Sequence, residues 1–352
     1  MIKVGINGLG RIGRAILRNN LRTSAFEVAA INDINPDPDN IAYTLNYDSI
    51  YGRLPIEFKH EKHTLLASNG SAITLHNEHS INEVDWQRDN IDFVIDASGV
   101  YQNVLDSRKL IDLGKVKKVF VTHSPNNVDF TLVLGANEHL LDISRHHVIA
   151  SSICDATALA PVIRVIIEDF GLDSGLVTTI HPWLSYQNLM DGPASSWSVP
   201  GTIYHHYALG RSAIGNLIPK PTSAIQATCQ VLQHLNLSED MIGSFSYRPP
   251  TAIVGTADLS LFLSREISRE EIVERFQHYE SQQHWNIIHN NFSPLVSLDF
   301  QGSEYSATID HRWTNVIKSR LLKLVLWYDN EAGYASKVID QVNLVASQMK
   351  LA

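Results

Sequence analysis

The sequence predicts an α/β protein of two domains, the first built on a parallel sheet and the second an α+β domain with a mainly antiparallel sheet. Three observations predict this fold. Strand-like and helix-like segments alternate through the first third of the chain, a glycine-rich turn joins the first strand to the first helix, and longer strand-like segments follow a lone cysteine in mid-chain. We place the first domain at residues 1–153, joined by a C-terminal helix at 332–352, and the second at 154–331.

The composition is that of a compact folded protein. The 352 residues are 44% hydrophobic and 18% charged, and the formal net charge of −9 gives no general attraction to nucleic acid or to an anionic membrane. No apolar run approaches the ~18 residues of a transmembrane helix, and the N-terminus lacks the features of a signal peptide. Two cysteines are too few for a disulfide framework. We therefore expect a cytoplasmic protein without nucleic-acid or membrane partners.

The first strand, "IKVGING", leads through the turn Gly8-Leu9-Gly10-Arg11-Ile12-Gly13 into the helical segment "RIGRAILRNNLR". A G-x-G-x-x-G pattern between a strand and a helix is the fingerprint of a dinucleotide-binding Rossmann domain. Asp33 ends the next strand, "FEVAAIND". A carboxylate there can accept hydrogen bonds from the adenosine 2′-hydroxyl and would repel a 2′-phosphate, which favours NAD over NADP. The strand-like segments "IDFVIDASG" and "KKVFVTH" extend the parallel sheet.

The second half begins with the helical segment "ATALAPVIRVIIEDFG". The longer strand-like segments "SGLVTTIHPWL", "GSFSYRPP", "AIVGTADLSLFLS" and "YSATIDHRW" follow it and indicate the larger sheet. A long irregular segment from Tyr186 to about Tyr207 interrupts them, and a loop of this length in a compact protein is typically functional or interfacial. Helical spacing returns in "NEAGYASKVIDQVNLVASQMK" at the C-terminus.

Cys154 precedes the helical segment of the second domain, where the helix dipole and free N–H groups would stabilise a thiolate. His181 ends a strand at the start of the irregular segment and can act as a general base for that cysteine. Cys229 falls within a helical pattern and is expected in the core. The doublets His146-His147 and His205-His206 lack metal-ligand spacing with partners, so we expect no metal site.

Together these features resemble the phosphorylating glyceraldehyde-3-phosphate dehydrogenases and their close relative, erythrose-4-phosphate dehydrogenase. The resemblance runs from end to end of the chain, and its motifs occur in order. They are "KVGINGLGRIGR" (3–14), "AINDI" (30–34), "YDSIYGR" (47–53), "DASGVY" (96–101), Cys154 followed by "LAP" (159–161), "TTIH" (178–181), "DGP" (191–193), "GRSAIGNLIP" (210–219) and "WYDNEAGY" (327–334).

The resemblance implies roles for individual residues. Cys154 matches the family's nucleophile and His181 its catalytic histidine. Arg211 matches an arginine that binds the substrate's distal phosphate, and Thr222 a threonine in the site for the attacking phosphate. For the cofactor, Asn330 matches an asparagine that holds the nicotinamide carboxamide, and Tyr334 matches a tyrosine that packs against the ring. Pro193 lies where NAD-specific members of the family carry a proline. The implied cofactor residues are Gly8, Gly10, Arg11, Ile12, Gly13, Asp33, Ser98, Gly99, Thr122, Pro193, Asn330 and Tyr334.

The implied reaction is the oxidation of an aldehyde through a covalent thioester on Cys154, with His181 as the base. The resemblance also implies a small phosphorylated aldehyde as substrate and a homotetramer, in which the irregular segment reaches the neighbouring subunit's cofactor site.

The chain departs from the family pattern around substrate and phosphate. The usual Ser-Cys-Thr-Thr-Asn-Cys motif is here "ICDATA", so that Ile153 and Asp155 replace a serine and a threonine beside the nucleophile. Leu184 and Tyr186 replace two threonines of the distal-phosphate site, where the phenol of Tyr186 can still donate a hydrogen bond. A carboxylate close to a bound phosphate would cost about 1–4 kcal/mol. We therefore expect altered anion recognition, with Asp155 in the substrate site.

Three functions remain open from the sequence. The first is an NAD-dependent dehydrogenase for a small phosphorylated sugar aldehyde, with glyceraldehyde 3-phosphate as the default substrate. The second is a relative that acts on erythrose 4-phosphate or another aldehyde, with water releasing the thioester. The third is a weakly catalytic NAD-binding paralogue that acts by interaction.

Overall fold

The computed structural model describes residues 1–194 and 206–350. The chain divides into two compact units. The first comprises Met1–Leu132, Leu140–Ser152 and the segment from Ala335 onward, and the second comprises Val133–His139 and Ile153–Tyr334. No helix among the described residues combines the length and the apolarity needed to cross a membrane.

The first unit is built around a nine-stranded sheet. Its strands are β1 (Lys3–Asn7), β2 (Glu27–Asn32), β5 (Phe58–Glu61), β6 (Thr64–Ala67), β7 (Ala72–His76), β8 (Phe93–Asp96), β9 (Lys118–Val121), β10 (Phe130–Thr131) and β11 (Val148–Ala150), and β3 (Tyr47–Asp48) and β4 (Gly52–Arg53) form a separate hairpin. The helices are α1 (Arg11–Thr23), α2 (Pro38–Asn46) and α3 (Tyr101–Asp112).

The sheet order is β10-β11-β9-β8-β1-β2-β7-β6-β5. All neighbours from β10 through β7 are parallel, and only β6 and β5 add antiparallel pairs at one edge. Parallel strands are buried on both faces and read as nearly continuous apolar runs. Strand β8 is an example, because all four of its residues are buried.

The second unit holds a mainly antiparallel sheet. Its elements are α4 (Cys154–Phe170), β12 (Leu172–Ile180), β13 (Ile218–Lys220), α5 (Ala224–Val231), β14 (Ile242–Arg248), β15 (Gly255–Leu263), α6 (Arg269–Gln282), β16 (Ile288–Asn291), β17 (Ala307–Asp310), β18 (Asn315–Ile317) and β19 (Leu321–Tyr328). The order is β13-β14-β12-β15-β19-β17-β16, and β18 pairs with β19. Two pairs, β12–β14 and β16–β17, are parallel. The two sheets confirm the predicted fold class.

Most residues of helix α4 are buried, and most of the buried ones are apolar. It includes Pro161, which lacks a backbone N–H, yet the helix continues to Phe170. Helix α7 (Ala332–Gln348) begins in the second unit, and from Ala335 its residues belong to the first.

Candidate active site

Cys154, which the sequence places just before the helical segment, is itself the first residue of helix α4. The N-cap residue, Ile153, has an extended backbone and makes no side-chain hydrogen bond to the helix start. The first N–H groups of the helix are therefore not capped by that side chain. Because the rest of α4 is packed into the core, the thiol is held at a fixed point at its N-terminus.

His181 directly follows strand β12, and its Nε2 lies 3.4 Å from Sγ of Cys154. Its Nδ1 lies 2.8 Å from the carbonyl oxygen of Pro182. A carbonyl only accepts hydrogen bonds, so Nδ1 carries the proton and Nε2 presents its lone pair to the thiol. The imidazole is thus oriented as a base for Cys154.

Asp155 is buried, and its Oδ1 lies 4.0 Å from Sγ of Cys154. The hydroxyl of Tyr328 donates a hydrogen bond of 2.5 Å to the same oxygen. Tyr328 ends β19, and its ring lies over Gly255 of the neighbouring strand β15, where a Cβ would be only 2.8 Å from the ring. Glycine at position 255 therefore leaves room for the phenol to reach the carboxylate.

The electrostatics favour the neutral forms of the cysteine and the histidine. Burial, and next the charge of Asp155, raise the pKa of the Cys154 thiol well above its ordinary value. Burial lowers the pKa of His181 to about 4, although Asp155 acts in the opposite direction. The sequence predicts both a stabilising helix terminus and a destabilising carboxylate, and in the structure the effects that disfavour the thiolate prevail. The pair at rest is a thiol facing a neutral imidazole.

Two cations near the nucleophile were not identified from the sequence. Arg248 ends β14, which runs parallel to β12 with Tyr247 opposite Ile180, so Arg248 and His181 emerge side by side. The Arg248 side chain is buried, its Nε has no hydrogen-bond partner among the described residues, and its charge lowers the pKa of Cys154. The only signal in the sequence is a charged residue at the end of a strand-like run, "GSFSYRPP".

The second cation is Lys220, at the end of β13. The pairing of β13 with β14 places Lys220 opposite Ser246, which makes it a diagonal neighbour of Arg248 on the same face of the sheet. Burial, and next the charge of Arg248, lower the pKa of Lys220 to about 8. Among the described residues, Asp155 and Arg248 thus act on Cys154, and together with Lys220 they act on His181.

The other predicted substrate residues lie in exposed or partly buried positions. The Nε of Arg211 donates to Asp191 at 2.7 Å, and both side chains are exposed. The hydroxyl of Thr222 accepts a 3.2 Å hydrogen bond from the backbone of Ala224 at the start of α5. Tyr186 is partly buried in the turn after His181.

The residues expected near the nicotinamide occupy different environments. Asn330 is buried, and its Oδ1 has no hydrogen-bond partner among the described residues. Tyr334 is buried, and its burial, followed by the negative charge that Cys154 carries when ionised, raises the pKa of its phenol well above the ordinary value. Pro193 is exposed. Residues 195–205 of the predicted intersubunit segment lie outside the described part of the chain.

The remaining predicted cofactor residues lie in the first unit, after the carboxyl ends of β1, β2, β8 and β9, where such sheets bind dinucleotides. They are Gly8, Gly10, Arg11, Ile12, Gly13, Asp33, Ser98, Gly99 and Thr122.

The three fingerprint glycines serve different purposes. Gly8 has φ +93°, and a Cβ there would lie 2.7 Å from the backbone of Ser98. A Cβ on Gly13 would collide with the carbonyl of Gly8, which shows how closely helix α1 packs on the turn. A Cβ on Gly10, in contrast, would meet no atom within 4 Å. That open space at an uncapped helix start suits a pyrophosphate.

Asp33 directly follows β2, and hydrogen bonds hold its side chain in place. Its carboxylate accepts hydrogen bonds from the backbone of Leu9 at 2.6 Å and Asn35 at 2.8 Å. Arg11, at the start of α1, pairs with Asp48, and Ile12 follows it in the helix. The Asp33 carboxylate is thus fixed beside the fingerprint turn, as recognition of an adenosine ribose requires. These residues fit NAD.

Comparison with known proteins gives one consistent result. The family model "Glyceraldehyde 3-phosphate dehydrogenase, NAD binding domain" matches residues 2–104, and the model of the C-terminal domain matches residues 153–330. Glyceraldehyde-3-phosphate dehydrogenase 1 of Bacillus subtilis is 32% identical over 99% of both chains. The enzyme of Geobacillus stearothermophilus is 34% identical over 99% of both chains, and that of Debaryomyces hansenii 35% identical over 98% of both.

The family matches and the fit of the fingerprint turn agree with the prediction of NAD as the cofactor. The chain belongs to the glyceraldehyde-3-phosphate dehydrogenase family and is an NAD-dependent oxidoreductase that acts on an aldehyde group.

Proposed function

We propose that the protein oxidises the aldehyde of a small phosphorylated sugar, with glyceraldehyde 3-phosphate as the first candidate, through a thioester on Cys154. The observation that carries this proposal is the 3.4 Å approach of His181 Nε2 to Cys154 Sγ, with the imidazole proton fixed on Nδ1. A base in this orientation can receive the thiol proton as sulfur attacks.

The reaction follows from that geometry. Sγ of Cys154 forms a bond with the aldehyde carbon while the thiol proton passes through His181 to the carbonyl oxygen, which gives a hemithioacetal. His181 then removes the hydroxyl proton as the carbon loses a hydride, and a thioester remains on Cys154. NAD, when bound, accepts that hydride. Phosphate or water finally forms a bond with the thioester carbon, the C–S bond breaks, and Cys154 leaves as a thiolate that takes up a proton again.

We propose that Arg248 and Lys220 bind the anionic part of the substrate. Arg248 is buried with an Nε that lacks a partner among the described residues, and a buried donor of this kind is costly unless a ligand satisfies it. Its guanidinium can bind a phosphate with two parallel hydrogen bonds. Arg211, Thr222 and Tyr186 stay in the proposed substrate site on the strength of the resemblance.

The test is a steady-state assay of the purified chain with NAD, in which NADH formation is followed with a panel of aldehydes, in the presence and absence of inorganic phosphate. We expect phosphate-dependent turnover of glyceraldehyde 3-phosphate and much weaker turnover of unphosphorylated glyceraldehyde. Tight NAD binding without turnover of any aldehyde would contradict the proposal and favour an NAD-binding paralogue that acts by interaction.

A second candidate is supported by Asp155, whose Oδ1 lies 4.0 Å from Sγ. A carboxylate at this distance would repel an attacking phosphate by about 1–4 kcal/mol, and it can accept a proton from an attacking water. In this case erythrose 4-phosphate or another aldehyde is the substrate, and water releases an acid from the thioester. Turnover that does not depend on added phosphate would favour this candidate over the first.

We propose the remaining properties from the resemblance. Residues 1–153 with the C-terminal helix would form the NAD-binding domain, residues 154–331 the catalytic domain, and the protein would be a cytoplasmic homotetramer. Self-association is supported by large apolar side chains exposed on one face of the second sheet, which are Leu176, Phe245, Phe262, Ile317 and Leu321. Light scattering after size-exclusion chromatography tests the assembly.

A further inference from the structure

We propose that Cys154, Asp155 and His181 together form a binding site for Zn²⁺, and that an ion bound there blocks the nucleophile. Their ligand atoms, a sulfur, a carboxylate oxygen and an imidazole nitrogen, all lie within 4.8 Å of one another. The sequence predicts no metal site because its histidine doublets lack ligand spacing. The fold instead brings His181 to two residues at the start of α4.

The distances are close to those of a tetrahedral ion. With Zn–S of about 2.3 Å and Zn–N of about 2.0 Å, the ligand atoms around zinc are about 3.5 Å apart. Sγ of Cys154 lies 3.4 Å from Nε2 of His181 and 4.0 Å from Oδ1 of Asp155. Small side-chain rotations would bring the carboxylate to the ion. Three protein ligands would leave a fourth position for water.

The outer contacts are also those of a metal site. A ligating imidazole usually donates its other N–H to a carbonyl or carboxylate, which fixes the coordinating nitrogen. His181 already donates Nδ1–H to the Pro182 carbonyl at 2.8 Å and presents Nε2 to the cysteine. The carboxylate of Asp155 is oriented by the 2.5 Å hydrogen bond from Tyr328. Two of the three ligands are therefore positioned before any ion arrives.

Two anionic ligands offset the effect of the nearby basic groups on a divalent cation. Arg248 and Lys220 oppose a cation, but the thiolate and the carboxylate each place a negative charge directly on it. Binding forms an S–Zn bond and releases the thiol proton to solvent, without any oxidation or reduction. The sulfur lone pair is then engaged by the ion, so Cys154 does not attack an aldehyde.

Asp155 is the ligand that distinguishes this chain. Its place is a threonine in the family motif that the sequence resembles, and a neutral hydroxyl is a much weaker ligand than a carboxylate. Asp155 therefore contributes specifically to metal affinity, separately from any contribution to aldehyde oxidation.

The experiment is titration of the full-length reduced chain with Co²⁺, followed by its displacement with Zn²⁺. Coordination by Cys154 gives a thiolate-to-cobalt charge-transfer absorption, which reports binding without any assay of activity. We expect this absorption in the wild type and its loss in Cys154→Ser. Asp155→Asn should weaken Zn²⁺ binding at least about tenfold. The controls are Asp240→Asn, which changes an exposed carboxylate, and Cys229→Ala, which removes the other thiol.

Tyr328→Phe provides a second variant if Asp155→Asn does not fold. This variant loses the hydrogen bond to the Asp155 carboxylate, which should lower the affinity for Zn²⁺ by about tenfold or more. Wild-type protein without the charge-transfer absorption would overturn the proposal. Equal affinity in the wild type, Asp155→Asn and Tyr328→Phe would also overturn it. Because binding is read from the absorption, an inactive enzyme that still binds Co²⁺ would contradict only the proposed function.

Discussion

His181 presents an unprotonated nitrogen to the thiol of Cys154, because its other nitrogen donates its proton to the carbonyl of Pro182. Cys154 and His181, the proposed catalytic residues, are held by two backbone features, the start of α4 and the end of β12. Because Nε2 of His181 can take the thiol proton directly, Cys154 and His181 do not need to be ionised before the proposed reaction begins.

The first prediction concerns this pair. Cys154→Ser should abolish NADH formation with aldehydes, since serine is a far weaker nucleophile than cysteine, whereas His181→Asn should lower kcat by about 10²–10⁴-fold through loss of the base. Stopped-flow and steady-state absorbance of NADH measure both effects. NAD binding by each variant serves as the folding control, and activity that survives in Cys154→Ser would reject the assigned nucleophile.

The second prediction isolates the charge of Asp155. Asp155→Asn should lower the pKa of Cys154, because a like charge 4.0 Å from the sulfur is removed. At a fixed pH below that pKa, alkylation by iodoacetamide should accelerate by about tenfold or more. Mass spectrometry of the labelled thiol gives the rate, and Asp240→Asn is the matched control. Equal rates in the wild type and Asp155→Asn would show that the Asp155 carboxylate does not control the pKa of the Cys154 thiol.

The third prediction separates two arginines. Arg248→Met should raise KM for a phosphorylated aldehyde by about tenfold or more, with little change for its unphosphorylated counterpart, since a buried charge-assisted contact would be lost. Arg211→Met should have the smaller effect, because that side chain is exposed and already paired with Asp191. The ratio of kcat/KM for the two aldehydes measures this selectivity. A larger loss in Arg211→Met would assign phosphate recognition to Arg211 instead.

The fourth prediction concerns the fingerprint turn. Gly10→Ala should leave thermal unfolding nearly unchanged, because its methyl group meets no protein atom within 4 Å, and it should weaken NAD binding by filling the open space. Gly13→Ala should lower the Tm, since its methyl group would collide with the Gly8 carbonyl. Calorimetric NAD titrations and thermal melts distinguish the two variants. Unchanged NAD affinity in Gly10→Ala would place the pyrophosphate elsewhere.

The fifth prediction concerns stability and pH. Burial, and next the charge of Arg269, lower the pKa of His311 to about 4, below its ordinary value of 6.5. The unfolded chain therefore binds a proton that the folded chain excludes between these values. The associated stability is complete above pH 6.5 and is lost as the pH falls towards 4, by up to about 3 kcal/mol.

Urea unfolding between pH 4.5 and 7 measures this effect. The free energy of unfolding of His311→Gln should depend less steeply on pH than that of the wild type. His278→Gln, which changes an exposed histidine on α6, should keep the wild-type slope. Identical slopes for all three proteins would assign the acid sensitivity to other groups, such as His181.

The sequence predicts the elements that carry strong local signals. The turn from Gly8 to Gly13, the helix after Cys154 and the long strands of the second unit lie where periodicity and motifs predict them. The parallel pairs β12–β14 and β16–β17 inside a mainly antiparallel sheet were not predicted, because pairing partners depend on contacts between distant segments.

The same limit applies to the candidate site. Cys154 and His181 are recognisable from motifs, but the contact of Tyr328 with Asp155 joins residues that are far apart in sequence and depends on the missing side chain at Gly255. Arg248 resembles any charged residue at a strand end until β14 is paired with β12. Local sequence therefore points to the proposed nucleophile and base more clearly than to the charged groups around them.

Helix α4 combines a reactive first turn with a body packed into the core. The residue after Cys154 can therefore be changed while the hydrophobic contacts that hold Cys154 remain intact. A single substitution at position 155 therefore changes the charge next to the sulfur and leaves the scaffold in place.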